Sequence, residues 1–443
     1  MRKVAVLVFI SLCCHSSWAR PNREITPRDT LFLSLPDAWT KAEANSRMIE
    51  IKRKATDVAA EEYKDARLEL FLPEVGIKGT AEKASNIPIY ENGLFSKPSQ
   101  HEVIHTLYHV GADFYQILYH GNKMRLKIRE DKTLQQLASI EEDKMLSDIR
   151  YQTAALYLEV QKSLIFKDLI IQDIADQEKQ LEEIQALYRN GTVLKSDVLR
   201  IELDLSKRRM ALITIENDIL IATQKLNIIM GEADDQPIKP MAPLLSEQVH
   251  VSYEEALKQA LEQAFDYRIS EKQTQLSELH LKQVRANVRP HVGLYGDFYY
   301  ANPQIFLAPY NPYWYSLGVI GIKASYPISA LYHNIHKTRA AKLELEKEEV
   351  AHHDTEDRVR QQVNEAYLRY TEALKQIAVE EVNVKQATEN ARIIKNTYFN
   401  QTALITDLLD ADIQLLQTRF DLAAARIIAQ DKFYLLQNII GIL

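Results

Sequence analysis

The chain has 443 residues, with 54 Lys and Arg against 61 Asp and Glu for a formal net charge of −7, and it contains only 12 Gly, 14 Pro and 2 Cys. An acidic balance argues against a nucleic-acid partner, which needs clustered cations to meet phosphates. Acids and bases are interspersed along the chain, the pattern of solvated helix faces rather than of a ligand site.

Residues 1–19 begin with Arg2 and Lys3, continue through an apolar run from Val4 to Cys14, and close on Ser17-Trp18-Ala19, with small residues at the −3 and −1 positions of a cleavage site. This reads as an export signal. Its removal takes both cysteines, Cys13 and Cys14, and leaves 52 bases against 61 acids, a net charge of −9. The mature chain is then expected to hold no disulfide, no thiolate metal site and no cofactor. The residues ahead of Cys13 lack the small-residue pattern of lipoprotein processing, and no later segment offers the roughly 18 to 20 apolar residues of a spanning helix.

Glycine and proline, the main punctuators of structure, cluster in 73–121, 231–243 and 290–327, apart from Pro21, Pro27, Pro36, Gly191 and Gly441. The intervening stretches 37–72, 122–190, 192–230, 244–289 and 328–440 are rich in Leu, Ala, Glu, Gln and Lys, with apolar residues three and four apart, which predicts helices. At 1.5 Å per residue, 123–189 alone would reach roughly 100 Å, more than an ordinary globular domain accommodates. The punctuated stretches read differently. Val75, Ile77 and Ala81 alternate with Lys78, Thr80 and Glu82, and the same period places Val110, Ala112, Phe114 and Val292, Leu294, Phe298 on common faces, which predicts strands within 73–121 and 290–329. The last of them, over 313–329, alternates poorly. Aromatics crowd there, from Tyr295, Phe298, Tyr299 and Tyr300 to Tyr310, Tyr313, Trp314 and Tyr315, as in the girdles of a membrane barrel. A soluble pair of hairpins with a tyrosine-rich surface is the plainer reading of the same pattern.

The chain also repeats itself. YRNGTVLKSDVL at 188–199 returns as YFNQTALITDLL at 398–409, and a gapless offset of 210 matches Arg150/Arg360, Tyr157/Tyr367, Leu164/Leu374, Asn190/Asn400, Thr192/Thr402, Asp197/Asp407, Leu226/Leu436 and Gly231/Gly441. A fixed register of that length reads as duplication. The expected domains are a signal peptide at 1–19, a first repeat at 20–231, a linker at 232–250 and a second repeat at 251–443. Each repeat runs helix, two strands, very long helix, turn (189–193 and 398–404) and helix. Four strands cannot enclose a bore, and open sheet edges in lipid leave backbone groups unpaired at several kcal/mol each. Several chains must then share one barrel, and three give twelve strands.

Taken together, the two Y-x-N-x-T-x-L-x-x-D-x-L turns, the L-x-x-x-x-G endings at Leu226–Gly231 and Leu436–Gly441, and the helix-to-strand prolines Pro73 and Pro290 resemble the TolC family of outer-membrane efflux proteins. The resemblance implies a mainly α fold in which long antiparallel helical hairpins form an α-barrel tunnel, while four strands per chain contribute to a shared 12-stranded trimeric β-barrel. It implies a passive exit duct of a tripartite efflux or type I secretion system, a homotrimer in outer-membrane lipid that meets a periplasmic adaptor and an inner-membrane RND or ABC transporter. The turns would stand at the periplasmic tip, where Tyr188, Asn190, Gly191, Thr192, Tyr398, Asn400 and Thr402 shape the entrance. An exported coiled-coil scaffold or adhesin without a pore is the competing reading, and two strand pairs with lipid-compatible faces count against it.

Asp407 and Asp410 lie three apart on one helix face, so in a trimer they would form carboxylate rings at the aperture; favourable first-turn acids are the competing reading. For Asp197 the first-turn role is preferred. Gly191 suits the left-handed position after a helix, with Thr192, Ser196 and Asp197 as cap and first-turn residues. In the second turn Gln401 stands where the first has glycine, and Asn400 is the expected left-handed residue. Ala403 occupies a position where some relatives carry a base that helps to lock the entrance. HEVIH at 101–105 matches a zinc-peptidase pattern, yet it precedes an alternating segment rather than lying on a helix, so no metal site is expected. His352 and His353 fall among acids on a solvated helix face.

Overall fold

The computed structural model describes residues 29–241, 252–305 and 311–443; the expected signal 1–19 with Cys13 and Cys14, residues 242–250 of the expected linker, and Tyr310 lie outside the described residues. The chain enters through β1 (Leu31–Leu33), α1 (Leu35–Asn45) and α2 (Arg47–Phe71). Ser34 starts α1, its hydroxyl accepting the Asp37 amide at 3.3 Å. The single helix expected over 37–72 is broken at Ser46, which is extended (φ −71°, ψ 114°) and recaps the chain by accepting the Ile49 amide at 3.4 Å.

Next come β2 (Glu74–Lys83), the short hairpin strands β3 (Ile87–Ile89) and β4 (Ser99–His101), and β5 (Thr106–His120). Helix α3 (Lys123–Arg189) follows with 67 residues, then α4 (Lys195–Met230) with 36. The second half continues with β6 (Ile238–Pro240), α5 (Tyr253–Gln263), α6 (Phe265–Ala286), β7 (His291–Asn302), β8 (Tyr315–Ser325), α7 (Ala330–Phe399, 70 residues) and α8 (Ile405–Ile440, 36 residues). The helix expected over 244–289 also divides, at Ala264.

Both breaks have one cause. Helices α4 and α8 end on Gly231 and Gly441, and a Cβ there would lie 2.6 Å from Asn45 Cγ and 2.5 Å from the Gln263 carbonyl oxygen. Each terminal glycine therefore docks at the point where the first helix of its half breaks, and only a residue without a side chain permits that approach.

The four long strands form one antiparallel sheet in the order β2-β5-β7-β8, so the two halves join through β5 and β7. Four strands of three residues were not expected: β1 pairs in parallel with β6, and β3 pairs with β4. Register sorts the main sheet into two faces, because directly paired residues point the same way. On one face Val75, Ile77, Val110, Phe298, Ile320 and Ile322 stand exposed. On the other lie Lys78, Asp113, Asp297 and Lys323, with Lys78 and Asp113 paired at 2.9 Å. The poor alternation over 313–329 comes from Gly318 and Gly321, one on each face.

The buried apolar clusters belong to the helical part. One cluster unites α1, α3, α4, β1 and β6 around Tyr157, whose hydroxyl lies 2.9 Å from the Leu33 carbonyl and 2.8 Å from that of Met241. A second joins α5, α7 and α8 around Val363, Tyr370 and Leu436.

Candidate channel entrance

Two hairpin turns close the helical end, and their backbones superimpose in pattern. In the first, Gly191 donates to the Tyr188 carbonyl at 2.9 Å and Thr192 to that of Leu187 at 3.0 Å, with Gly191 left-handed at φ 75°. In the second, Gln401 donates to Tyr398 at 2.8 Å and Thr402 to Thr397 at 3.0 Å. The left-handed residue there is Gln401 at φ 64°, whereas Asn400 is at φ −86°. The one-residue shift expected around Asn400 does not occur, because the paired backbone bonds pin the register more strongly than the side chain at the strained position disfavours it.

Helices α4 and α8 start after Leu194 and Leu404, neither of which offers a capping oxygen, so the cap expected from Thr192 is not formed. Asp407 supplies the missing function in the second turn: its carboxylate accepts the Leu404 amide at 3.2 Å. Asp197 instead accepts the Ser196 hydroxyl at 3.3 Å. Asp407 and Asp410 are both exposed in the protomer, and neither joins an ion pair among the described residues.

One apolar cluster gathers both turns: Ile184, Val198 and Ile201 from the first hairpin, and Tyr398, Ile405 and Leu408 from the second. The equivalent tyrosines part company here. Tyr188 is 42% exposed, while Tyr398 is 6% exposed and its hydroxyl is buried without a hydrogen-bond partner. Burial, and then the nearby Asp197 carboxylate, push the Tyr398 phenol up to about 12.

Further from the tip lies a polar cluster that sequence reasoning missed. Arg208 is buried between Asp204, whose carboxylate accepts its Nε–H at 2.7 Å, and Asp173, which accepts from Nη1. Asp412 on α8 accepts from Gln177 Nε2 at 3.0 Å and Gln180 Nε2 at 3.1 Å on α3. Burial, and secondarily the Asp412 charge, raises the Asp204 carboxyl above its ordinary value. The available signal was Asp204 and Arg208 spaced i, i+4 on a stretch whose neighbours Ile201 and Leu205 are apolar.

The HEVIH residues are not on a helix: His101 ends β4, and His105 follows in a bend with Nδ1 2.9 Å from the Ala84 carbonyl oxygen. His109 stacks on Tyr299 at 4.5 Å. The spacing therefore does not set the two imidazoles on a common helix face. His353 is exposed as expected, but His352 is packed against α6, with Nδ1 2.7 Å from Ser270 Oγ and its ring 4.8 Å from that of Tyr267.

Residues 256–441 match the family described as outer membrane efflux protein. No curated protein matches the sequence. The fold as a whole is similar to the outer membrane protein VceC of Vibrio cholerae (TM-score 0.74, 16% identity, covering 92% of this chain and 96% of that one). It is likewise similar to the Campylobacter jejuni CmeC outer membrane channel (0.73, 13%, 92% and 85%). The open-state Neisseria gonorrhoeae MtrE outer membrane channel is a third (0.71, 14%, 92% and 88%). Residues 256–441 thus match the outer membrane efflux protein family, and the whole described chain has the fold of these outer-membrane channels.

Proposed function

We propose that three copies of this chain assemble into a passive exit duct, with twelve strands closing a barrel in outer-membrane lipid and the helical hairpins closing a periplasmic tunnel. The observation that carries the reading is the main sheet. It exposes Ile77 at 85%, Ile320 at 73% and Val75 at 69% on one face and sets charges on the other, and the outer edges of its end strands β2 and β8 are unpaired among the described residues. An apolar wall over a polar lumen with two unpaired edges is suited to lipid only when neighbouring copies pair those edges. The two halves, 20–231 and 251–443, are proposed as products of one duplication. The duct would receive cargo through a periplasmic adaptor from an inner-membrane RND or ABC transporter, in a tripartite efflux or type I secretion system.

In this reading the turns form the aperture, and Asp407 and Asp410 of three protomers face it as carboxylate rings that favour cations. Asp407 can serve both as a cap and as a ring member, since the amide of Leu404 occupies only one of its oxygens. Asp197 stays a first-turn residue beside Tyr398. Two measurements test this. Light scattering of detergent-extracted protein should give a trimer, and a monomer, or protein soluble without detergent, sinks the duct. Single-channel recordings should show cation preference and block by multivalent cations from the periplasmic side. The Asp407→Ala/Asp410→Ala double variant should weaken that block at least about tenfold, roughly 1.4 kcal/mol, with the trimer intact; unchanged block would leave both acids as helix-start residues only.

A further inference from the structure

A concentration of positive charge lies at the opposite end of the helices from the proposed entrance. Arg125 and Arg129 near the start of α3, Lys282 and Arg285 near the end of α6, and Arg289 just before β7 line one cleft, and no carboxylate lines it. All five side chains are exposed. Some cations of the long helices are neutralised locally, as in Lys127 with Asp131, Arg360 with Glu356 and Arg392 with Glu389. Here only Lys282 takes an acid, Glu278 at 2.6 Å, while Arg289 donates to the Gly121 carbonyl at 3.0 Å. Arg125, Arg129 and Arg285 have no carboxylate partner among the described residues, and the first turn of α3 contains no acid. For a chain of net charge −7, five converging cations, three of them without a carboxylate partner and a fourth held only by a carbonyl, call for an anion.

Position narrows what the anion is. Arg125 and Arg129 lie within about 10 Å of the strand-to-helix junction, at a rise of 1.5 Å per residue. That spans the headgroup layer beside a hydrocarbon core, roughly 5–8 Å thick on each side, and its outer edge, which a long arginine side chain bridges. In the tube proposed above, the cleft also opens on the outer surface. Arg125 lies about seven helical turns from Arg150, hence on the same face of α3. Arg150 carries α1 on that face, through Glu43 at 2.6 Å and through the Trp39 indole bonded to its carbonyl at 2.9 Å. An extra layer of α1, β1 and β6 can sit only outside a hollow tube, since inside it would fill the bore.

We propose that this cleft binds the phosphate of an anionic phospholipid of the periplasmic leaflet, held by Arg125, Arg129 and Arg285, whose planar guanidinium groups match phosphate oxygens in pairs. The inference rests on the membrane placement of the sheet argued above. Trimers purified in detergent are mixed with phosphatidylglycerol, with zwitterionic phosphatidylcholine, or with inorganic phosphate alone, and retained molecules are counted by native mass spectrometry. Wild type should retain phosphatidylglycerol at least tenfold better than the Arg125→Gln/Arg129→Gln/Arg285→Gln variant, and phosphatidylcholine no better. The corresponding triple Lys variant keeps the charge but not the fork, and should fall between them. If it retains no more than the Gln variant, or if the Gln variant retains phosphatidylglycerol as wild type does, the site is overturned. Inorganic phosphate should be retained weakly. If it is retained as well as the lipid, and with the same dependence on the three arginines, the ligand is a soluble phosphate and the lipid assignment is overturned. Trimer mass is read in the same spectra: wild type without trimers would sink the duct, whereas trimers without selective retention would sink this inference alone.

Discussion

The two hairpin turns share a backbone and differ in almost everything that stabilises it. The first places glycine at the left-handed position, leaves its tyrosine, Tyr188, in solvent, and roots its returning helix in the buried Arg208 cluster. The second tolerates Gln401 at φ 64°, buries Tyr398, and ties its helix start with the Asp407 carboxylate. The first turn is thus relaxed at its tip and anchored by charge further up, while the second is strained at its tip and held there by packing and a cap. The matching sequences supplied one geometry; the differences follow from each turn having a different neighbour.

The largest break in this comparison should come from the anchor. Arg208→Ala leaves Asp173 and Asp204 buried without their cation and should cost about 3–5 kcal/mol. Hydrogen exchange should then accelerate in α4 and the facing part of α3, and unchanged protection there would mean that charge does not anchor the first hairpin. In the second hairpin Leu408, fully buried, is the corresponding apolar hold. Leu408→Ala should cost about 3 kcal/mol in the same measurement, with protection lost at both turns because both feed one cluster.

A smaller effect sharpens the contrast at the tips. Gln401→Gly should stabilise the second turn by about 1 kcal/mol, and Gly191→Gln should destabilise the first by about as much. Thermal melting of the pair separates the signs; a destabilising Gln401→Gly would show that the glutamine side chain contributes more than its backbone costs.

The smallest effect at neutral pH belongs to Tyr398. Its folded pKa is raised to about 12 against an ordinary 10, so the stability linked to it is fully present below pH 10 and is lost as pH climbs through about 12. Melting temperatures taken from pH 9 upward should fall through that window in wild type. Tyr398→Phe should flatten that part of the decline while altering stability at pH 7 by less than about 1 kcal/mol, because the hydroxyl it removes has no partner. An undiminished decline in the variant would assign the alkaline loss to other groups.

Much of this architecture was legible in the residues themselves. Long runs without Gly or Pro and with apolar residues three and four apart can do little but form helices, and alternation around Val75, Val110 and Val292 can do little but form strands, so local periodicity determined the element types and the mainly helical fold. What spacing could not reveal is where elements meet. Ser46 and Ala264 break their helices because Gly231 and Gly441 arrive there from distant parts of the chain, and nothing near Ala264 in sequence announces it. Asn400 looked the better left-handed residue by side-chain preference, but the backbone bonds of the turn placed Gln401 there. Asp173, Asp204, Arg208 and Asp412 read as ordinary charges of solvated helices until three helices were packed around them. Periodicity is a property of neighbours along the chain and was decided by the sequence alone; burial, docking and the pairing of charges depend on distance in space, and only the tertiary structure could decide them.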